Sequence, residues 1–543
     1  MTTLLLVAPI ALPALGVLAY AIAGWHRGRG FVGAGFVGAG FVGAGLVGAA
    51  CAAGQLAAGI ALAAVVGRPG AAAIAAGPLR ADALSAYMLV VIGAVALLAT
   101  AASPAYLRAE LDAGRATPRT NRRYGMLVQA FLAAMALAVL AANLGVLWAA
   151  VEGTTIVTAF LVGQRRTRTA LEAAWKYVVI CSAGIALAFL GTVLLNFAAA
   201  HAPTRPGLDW AALATGAAGL DPGVTRIAVA LLVVGFGTKA GLAPLHAWLP
   251  DAHSQAPAPV SALMSGVLLS VAFYAVLRIK VIADAALGIG FARTLLAVVA
   301  LASLAVAASL LLAQRDYKRM LAYSSIEHMG LLALGAAAGS RLAIAAVLLH
   351  MLGHGLAKAV LFLGSGRILQ TTGTSLIGEV SALAGRQPVL AASFGLGVAA
   401  LVGFPPFSLF ASELGIARAG FATGLGWVTT AALLLMLVIA AAMFGHTGRM
   451  LLGAAPAADG PAAPRAPAAD GPALPRSPAA GGPATPRASV VDGPGAATTP
   501  PRLPAATAVP LLAGLVACAA LGLAGGGVQQ LLLHAADALL GAP

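Results

Sequence analysis

"GTKAGLAPLHAWLP", residues 237–250, closes an apolar run with a lysine, two prolines and two glycines where an uninterrupted membrane helix would need none of them. Pro244 lacks the N–H that a helix interior requires, and its ring clashes with the turn before it. Carbonyls freed by such a break survive in hydrocarbon only when protein or a water-filled cavity meets them. A second stretch, "VGFPPFSLFASE" (402–413), repeats the device with Pro405 and Pro406. Broken helices with ends directed inward are a transporter means of holding ions, and Lys239 and Glu413 accompany the two breaks. A plain kink is the alternative reading of each.

The rest of the chain is as apolar as these two runs. Of 543 residues, 61% are hydrophobic and 9% charged, against about 25% charged in soluble domains. Apolar stretches of about 20 residues, enough to cross roughly 30 Å of hydrocarbon, recur throughout. The fold class is therefore an all-α polytopic membrane protein of about fourteen transmembrane helices. The expected spans are 3–23, 45–66, 84–102, 124–142, 145–163, 172–197, 225–246, 258–279, 291–313, 319–338, 342–364, 390–415, 424–448 and 505–526, with the breaks in the seventh and twelfth. Leu4–Ile22 lacks the basic start of a cleavable signal and is expected to be retained.

The net charge of +15 does not indicate nucleic-acid binding, because the basic residues sit between apolar runs. Arg108, Arg119, Arg122, Arg123, Arg165, Arg166, Arg168, Arg315, Lys318 and Arg319 all follow odd-numbered spans. The positive-inside rule places those loops in the cytoplasm and both termini on the other side of a bacterial inner membrane. Cys51, Cys181 and Cys518 are isolated in apolar runs, with no zinc or iron–sulfur spacing. The chain thus offers no evident ligands for a redox cofactor.

Two segments are of low complexity. "FVGAGFVGAGFVGAG" (31–45) contains GxGxxG at Gly33, Gly35 and Gly38, but it lies in apolar helix and no Asp or Glu precedes Asp82. A dinucleotide fold needs the motif between strand and helix with an acidic residue about 20 positions on, so a repeat-expanded helix start is the reading. Residues 454–504 repeat "DGPAAPRAPAA"-like units whose Pro and Gly density suits a disordered cytoplasmic loop. The domains read as N-terminal helices (1–80), a core (81–450), the low-complexity loop (451–504) and a last helix with tail (505–543).

Seven ionisable side chains fall at membrane depth: Glu152, Lys176, Lys239, His350, His354, Lys358 and Glu413. Each charge near the bilayer centre costs about 2.5–3.5 kcal/mol, so they are expected to pair or to line water. Lys176 lies near enough to its span's end to snorkel or to form a static ion pair. A lysine whose carboxylate partner moves is a proton-loading element, and histidine passes protons near neutrality. His350, His354 and Lys358, four residues apart, form one stripe of about 12 Å on a helix. HxxxH also suits zinc, but no third ligand is evident in the sequence. His201 and His534 read as surface residues.

At these residues the sequence resembles the antiporter-like family of complex I membrane subunits, which also includes Mrp cation/proton antiporter and energy-converting hydrogenase subunits. The resemblance covers roughly 80–450 and rests on "GFGTKAGLAPLHAWLPDAHSQAPAPVSALMSG" (235–266), "DYKRMLAYSSIEHMG" (316–330) and "LLHMLGHGLAKAVLFLGSGRI" (348–368). "EAAWKYVVICSAGIALAFLGT" (172–192) and the Glu327–His328 pair point, within the family, to the hydrogenase-4 component F branch.

The resemblance implies two inverted five-helix repeats, broken helices seven and twelve, and a proton relay through mid-membrane charges. In that relay Glu152 and Lys239 are the loading pair, tuned by Lys176. His350, His354 and Lys358 are the centre and Glu413 the exit, with His246, Ser265, Ser270, Glu327 and His328 in support. Where many relatives carry Lys or His on the eighth helix, this chain has only Ser265 and Ser270, so the path there needs bridging water.

The leading expectation is a proton-translocating subunit of a redox-driven complex, hydrogenase-4 or NADH-quinone oxidoreductase in type. Iron–sulfur, nickel–iron or flavin centres would sit in partner subunits. The alternatives are an Mrp-type Na⁺/H⁺ antiporter subunit and a subunit that energises or scaffolds a soluble partner.

Overall fold

Gly241 and Gly403 both adopt the left-handed backbone that glycine alone tolerates freely, with φ of 78° and 71°. Each ends one helical segment of a broken span and is followed closely by a cis X-Pro bond, Ala243–Pro244 in one case and Pro405–Pro406 in the other. In the computed structural model residues 2–25, 34–68, 70–453, 503–524 and 527–541 are described, and among them the chain is almost entirely helical.

In chain order, α1 (Thr2–Trp25) and α2 (Ala34–Val66) precede a small antiparallel hairpin, β1 (Ile74–Ala76) and β2 (Leu79–Ala81). There follow α3 (Ala83–Asp112), α4 (Pro118–Leu140), α5 (Leu144–Val162), α6 (Arg168–His201), the short α7 (Trp210–Gly216) and α8 (Pro222–Ala240). The first break leads to α9 (Trp248–Gln255) and α10 (Ala258–Leu263), which runs through a π-helical turn, Met264–Leu268, into α11 (Leu269–Leu287). Next come α12 (Ile289–Leu312), α13 (Tyr317–Ala338), α14 (Arg341–Thr372), α15 (Leu383–Arg386) and the halves of the second broken span, α16 (Pro388–Leu401) and α17 (Ser408–Ala422). α18 (Gly426–Leu452), α19 (Ala505–Leu523) and α20 (Gly527–Leu540) complete the order.

Twelve helices among the described residues are long and apolar enough to cross a membrane, not the fourteen expected. The difference has two sources. α13 carries Lys318, Arg319, Glu327 and His328, which lower its hydropathy below that of its neighbours. The twelfth expected span is divided into helices of 14 and 15 residues, each only about 21–23 Å long. The breaks fall in the seventh and twelfth expected spans. Four spans lie between them, so the second break comes five spans after the first, an odd offset, and the two five-helix units run in opposite senses through the bilayer.

The backbone groups freed at the breaks are met locally, as hydrocarbon demands. Thr238 O accepts from Gly241 N (3.1 Å) and from Trp248 Nε1 (2.9 Å). Ala399 O accepts from Phe404 N at 2.9 Å.

α14 is the axis of the second half, packed by α3, α10, α13, α16, α17, α19 and α20. Its Gly355 meets Gly266 of the π turn so closely that a Cβ on either would lie 2.8–2.9 Å from the other's carbonyl oxygen. α2 starts at Ala34, so the described part of the FVGAG repeat is helix. Residues 454–502, most of the expected loop, lie outside the described residues. The expected C-terminal tail instead contains α20, which packs on α14 and α3. Arg341 forks onto Asp537 there (2.6 and 2.7 Å), and His534 Nδ1, half-buried rather than on the surface, bonds Gly67 O at 2.9 Å.

Candidate functional site

Lys239 lies two residues before the first break and is fully buried. Its Nζ donates to Thr155 Oγ1 at 2.8 Å and to the Tyr177 hydroxyl, and lies 4.6 Å from the centre of the Tyr177 ring. Thr158 also meets that hydroxyl, and Trp248 stands edge-on to Tyr177 with ring centres 5.1 Å apart. α5 supplies the threonines and α6 the tyrosine, so Lys239 sits in a cage of hydroxyls.

The expected Glu152–Lys239 contact pair is not formed: no ion pair within 4.0 Å joins them. Hydroxyls occupy the donor directions of Nζ, and Glu152 Oε2 is buried with no hydrogen-bond partner. Glu152 acts on Lys239 only as a more distant charge. Lys176 is also corrected. Half-exposed, it bonds Glu172 (2.7 Å) and Asp251 (3.1 Å), a static pairing near the span's end rather than a tuning contact on Glu152.

The second cluster belongs to α13, α14 and α17. Lys358 Nζ donates to Leu321 O and Ser324 Oγ, each at 2.6 Å, and Glu327 is the carboxylate whose charge acts on it. Ser325 Oγ also donates to Leu321 O (3.2 Å) and meets Ser265 Oγ at 2.8 Å. Ser265 sits in the π turn, and the eighth span and Lys358 thus converge on one shared acceptor, Leu321 O, which takes a hydrogen bond from Ser325 and from Lys358 and passes no proton between them. π-turns of this kind recur at functional positions. Ser270 is different: its buried hydroxyl has no partner. His246, in the first break, is half-buried with Nδ1 unpartnered.

His350 links α13 to α17. Its Nε2 is 3.0 Å from His328 Nδ1, and its Nδ1 is 2.9 Å from Ser412 Oγ, which donates to Leu409 O at 2.9 Å. One tautomer set satisfies the chain, with His328 Nδ1–H donating to His350 Nε2 and His350 Nδ1–H donating to Ser412. His328 Nε2 is then a bare acceptor, and it has no partner. His354 lies 5.0 Å from His328, ring centre to ring centre, with both nitrogens unpartnered. Glu413 reaches the same place because Gly403 leaves room: a Cβ there would overlap its carboxylate.

The HxxxH pair itself gains no third ligand, since His354 stands outside the donor cluster, but a different set, His328, His350 and Glu413, presents ligand atoms all within 4.8 Å of one another. That donor set could hold zinc. Two of its nitrogens already share a hydrogen bond, so as placed they hold a proton where a metal would bind.

Sequence reasoning missed three buried cations or potential cations. His253, fully buried with both nitrogens unpartnered, stacks on Phe362 at 5.1 Å. Lys318, assigned to a loop, is buried with Nζ on Ser254 O (2.6 Å) and Ala256 O (3.1 Å). Arg278 is buried against Asp82. Each lies at a span boundary or among aromatic and small residues, where composition alone gives little signal. His201 is exposed, as expected.

Residues 141–440, which hold both breaks and nearly all of this network, match the family described as "NADH:quinone oxidoreductase/Mrp antiporter, TM". The chain belongs to this family. A hydrogenase-4 component F homolog of Methylacidiphilum infernorum is 41% identical over 324 residues, covering 59% of this chain and 68% of that protein. Hydrogenase-4 component B of Escherichia coli is 32% identical over 348 residues, 62% of this chain and 50% of the relative. The chain therefore spans between half and about two thirds of these antiporter-like relatives.

Two solved structures share the fold over 99% of this chain and 97% of theirs. They come from an archaeal membrane-bound sulfane sulfur reductase (TM-score 0.77, 24% identity) and the Mrp complex of Dietzia (0.76, 23%). The family member described here is thus a multi-pass membrane subunit whose structural neighbours belong to multisubunit complexes.

Proposed function

We propose that this chain is a proton-translocating subunit of a bacterial inner-membrane respiratory complex of hydrogenase-4 type, with its termini on the non-cytoplasmic side. The observation that carries the reading is the hydrogen-bonded series His328–His350–Ser412 beside Glu413, buried where ordinary core packing would place apolar side chains. A proton delivered to His328 Nε2 releases the Nδ1 proton to His350 Nε2, which releases its own Nδ1 proton toward Ser412 and Glu413. Histidine suits each hop because it binds at one nitrogen and releases at the other. Lys358, on which the Glu327 charge acts, is the charged station beside this series, and Lys239 in its hydroxyl cage is the corresponding station of the first half. Glu152 biases Lys239 from a distance.

The 41% identity to a hydrogenase-4 component F homolog supports that assignment over an NADH-dependent one. Iron–sulfur, nickel–iron or flavin centres then belong to partner subunits. In the assembled complex, Lys239→Ala and His350→Ala should each abolish proton uptake by sealed inverted vesicles while electron transfer to an artificial acceptor continues. Unchanged proton-to-electron stoichiometry in both variants would refute the reading. The shared fold with an Mrp complex favours a second reading, cation/proton antiport. Proton movement that requires added Na⁺ and needs no electron donor would establish it.

A further inference from the structure

At one end of α4, α5 and α6 lies a groove of about 430 Å³ that none of the relay residues touches. Its mouth holds Arg123 and Arg166, both exposed. Among the described residues neither guanidinium has a carboxylate within 4.0 Å. Arg123 lies 5.0 Å over the Phe160 ring. Arg166 is held at the mouth by a left-handed turn, φ 52°, unusual for a residue with a Cβ. Gln164 also lines the groove, and its Oε1 is buried with no hydrogen-bond donor.

Deeper in, the walls become apolar, formed by Leu127, Phe160 and Val178, with Trp175 largely exposed beside them. Polar character thus decreases from the helix ends toward the middle of the bilayer. That gradient matches one kind of molecule. A free anion would use the arginines and leave the apolar trough empty, and an apolar helix would bury two unpaired guanidiniums at high cost. A phospholipid places phosphate and chain at the two ends in the right order. Basic clefts between membrane helices recognise anionic headgroups in this way, and an exposed Trp at this depth suits the interface.

We propose that this groove binds one anionic phospholipid, its phosphate on Arg123 and Arg166 and an acyl chain along Leu127, Phe160 and Val178. Gln164 Oε1 accepts from a headgroup hydroxyl, which makes a glycerol headgroup the fitting one. The volume holds only part of such a lipid, so the remaining chain lies in the surrounding bilayer.

The test is native mass spectrometry of the full chain released from nanodiscs of mixed phosphatidylglycerol and phosphatidylcholine. Wild type should retain one phosphatidylglycerol in clear preference to phosphatidylcholine. The Arg123→Ala/Arg166→Ala variant should lose that retention by about fivefold or more. Both residues are exposed, so the variant should fold, and its unfolding temperature is checked alongside. Arg205→Ala, at the other end of α6, should retain the lipid as wild type does. Equal retention of both lipids, full retention by the double variant, or an equal loss in Arg205→Ala would overturn the proposal. So would displacement of the lipid by inorganic phosphate, or a neighbouring subunit's helix seated in the groove of the assembled complex.

Discussion

His328 Nδ1 and His350 Nε2 lie 3.0 Å apart across the α13–α14 interface, and both rings are buried. One nitrogen must carry the proton and the other must not, so the pair is polarised in one direction at a time. Reversal requires a proton to arrive at one end and leave at the other. Glutamine can keep one hydrogen bond but cannot accept at one atom and release at another. His350→Gln should therefore reduce proton translocation by the assembled complex at least tenfold, within the range for loss of a proton-transfer group, while thermal stability changes little. Ser412→Ala, which removes only the terminal hydroxyl, should cost about two- to threefold. Proton uptake followed with a pH dye in sealed vesicles measures both. Pumping within twofold of wild type in His350→Gln would rule out this series as the route.

Lys239 invites a split between stability and transport. Its ammonium is buried on hydroxyls without a contacting carboxylate, an arrangement that costs folding free energy rather than supplying it. Lys239→Met should leave the unfolding temperature equal to or above that of wild type while abolishing translocation. Tyr177→Phe should behave oppositely in stability, since it leaves the ammonium with one fewer partner, at a cost of about 1–3 kcal/mol. If Lys239→Met unfolds far more easily than wild type, the lysine is a structural anchor and its transport role falls.

Gly403 and Glu413 occupy the same small space at the second break. A methyl group at 403 would strike the Glu413 carboxylate, and the residue's φ of 71° is itself unfavourable for alanine. Gly403→Ala should therefore lower both stability, by about 1–2 kcal/mol, and translocation. Glu413→Gln should lower translocation alone. Parallel unfolding and pumping assays separate the two effects, and a Gly403→Ala protein with normal pumping would show that the carboxylate need not sit where the break allows it.

The two breaks were legible because proline and glycine act locally, whatever the rest of the chain does. Pro244 and Pro405–Pro406 interrupt helices by covalent geometry, and the stripe of His350, His354 and Lys358 follows from helical period alone. Which groups face one another across helices was less legible. Glu152 and Lys239 both stand at membrane depth, but the Lys239 ammonium bonds the hydroxyls of Thr155 and Tyr177, the latter also met by Thr158, instead of the carboxylate. Nothing in the spacing of Thr155, Thr158 and Tyr177 announces a lysine cage. The contact of Ser265 with Ser325 is equally illegible, since it depends on how the π turn packs against α13 and not on the spacing of either serine. α20 is not legible as a span because 14 residues are too few to cross the bilayer, although the helix docks on α14.

Asp82 gives the protein a pH dependence of stability separate from transport. It caps α3, accepting from Ser85 N at 2.8 Å, and pairs with Arg278 at 2.7 Å. Burial pushes its carboxyl up, but the Arg278 charge and the hydrogen bonds from Arg278 and Ser85 together outweigh burial and hold it below the usual carboxylate range. A carboxyl lowered on folding adds stability that is complete above the unfolded value, near pH 3.9. That stability is lost as pH falls through the lower folded value. Between pH 5 and 8 the pair should thus contribute a constant amount. Asp82→Asn leaves Arg278 buried with no counter-charge, held by the Ser85 hydroxyl at 3.2 Å and by the Trp210 and Tyr274 rings, at a cost of about 3–5 kcal/mol. Unfolding of wild type and variant in mild detergent should differ by that constant amount above pH 5, and the difference should shrink as pH falls through the lowered folded value of Asp82. A difference that stays constant over the whole acid range in which the protein remains folded would mean that the carboxylate charge contributes nothing to it, and that the loss in Asp82→Asn comes from the helix cap alone.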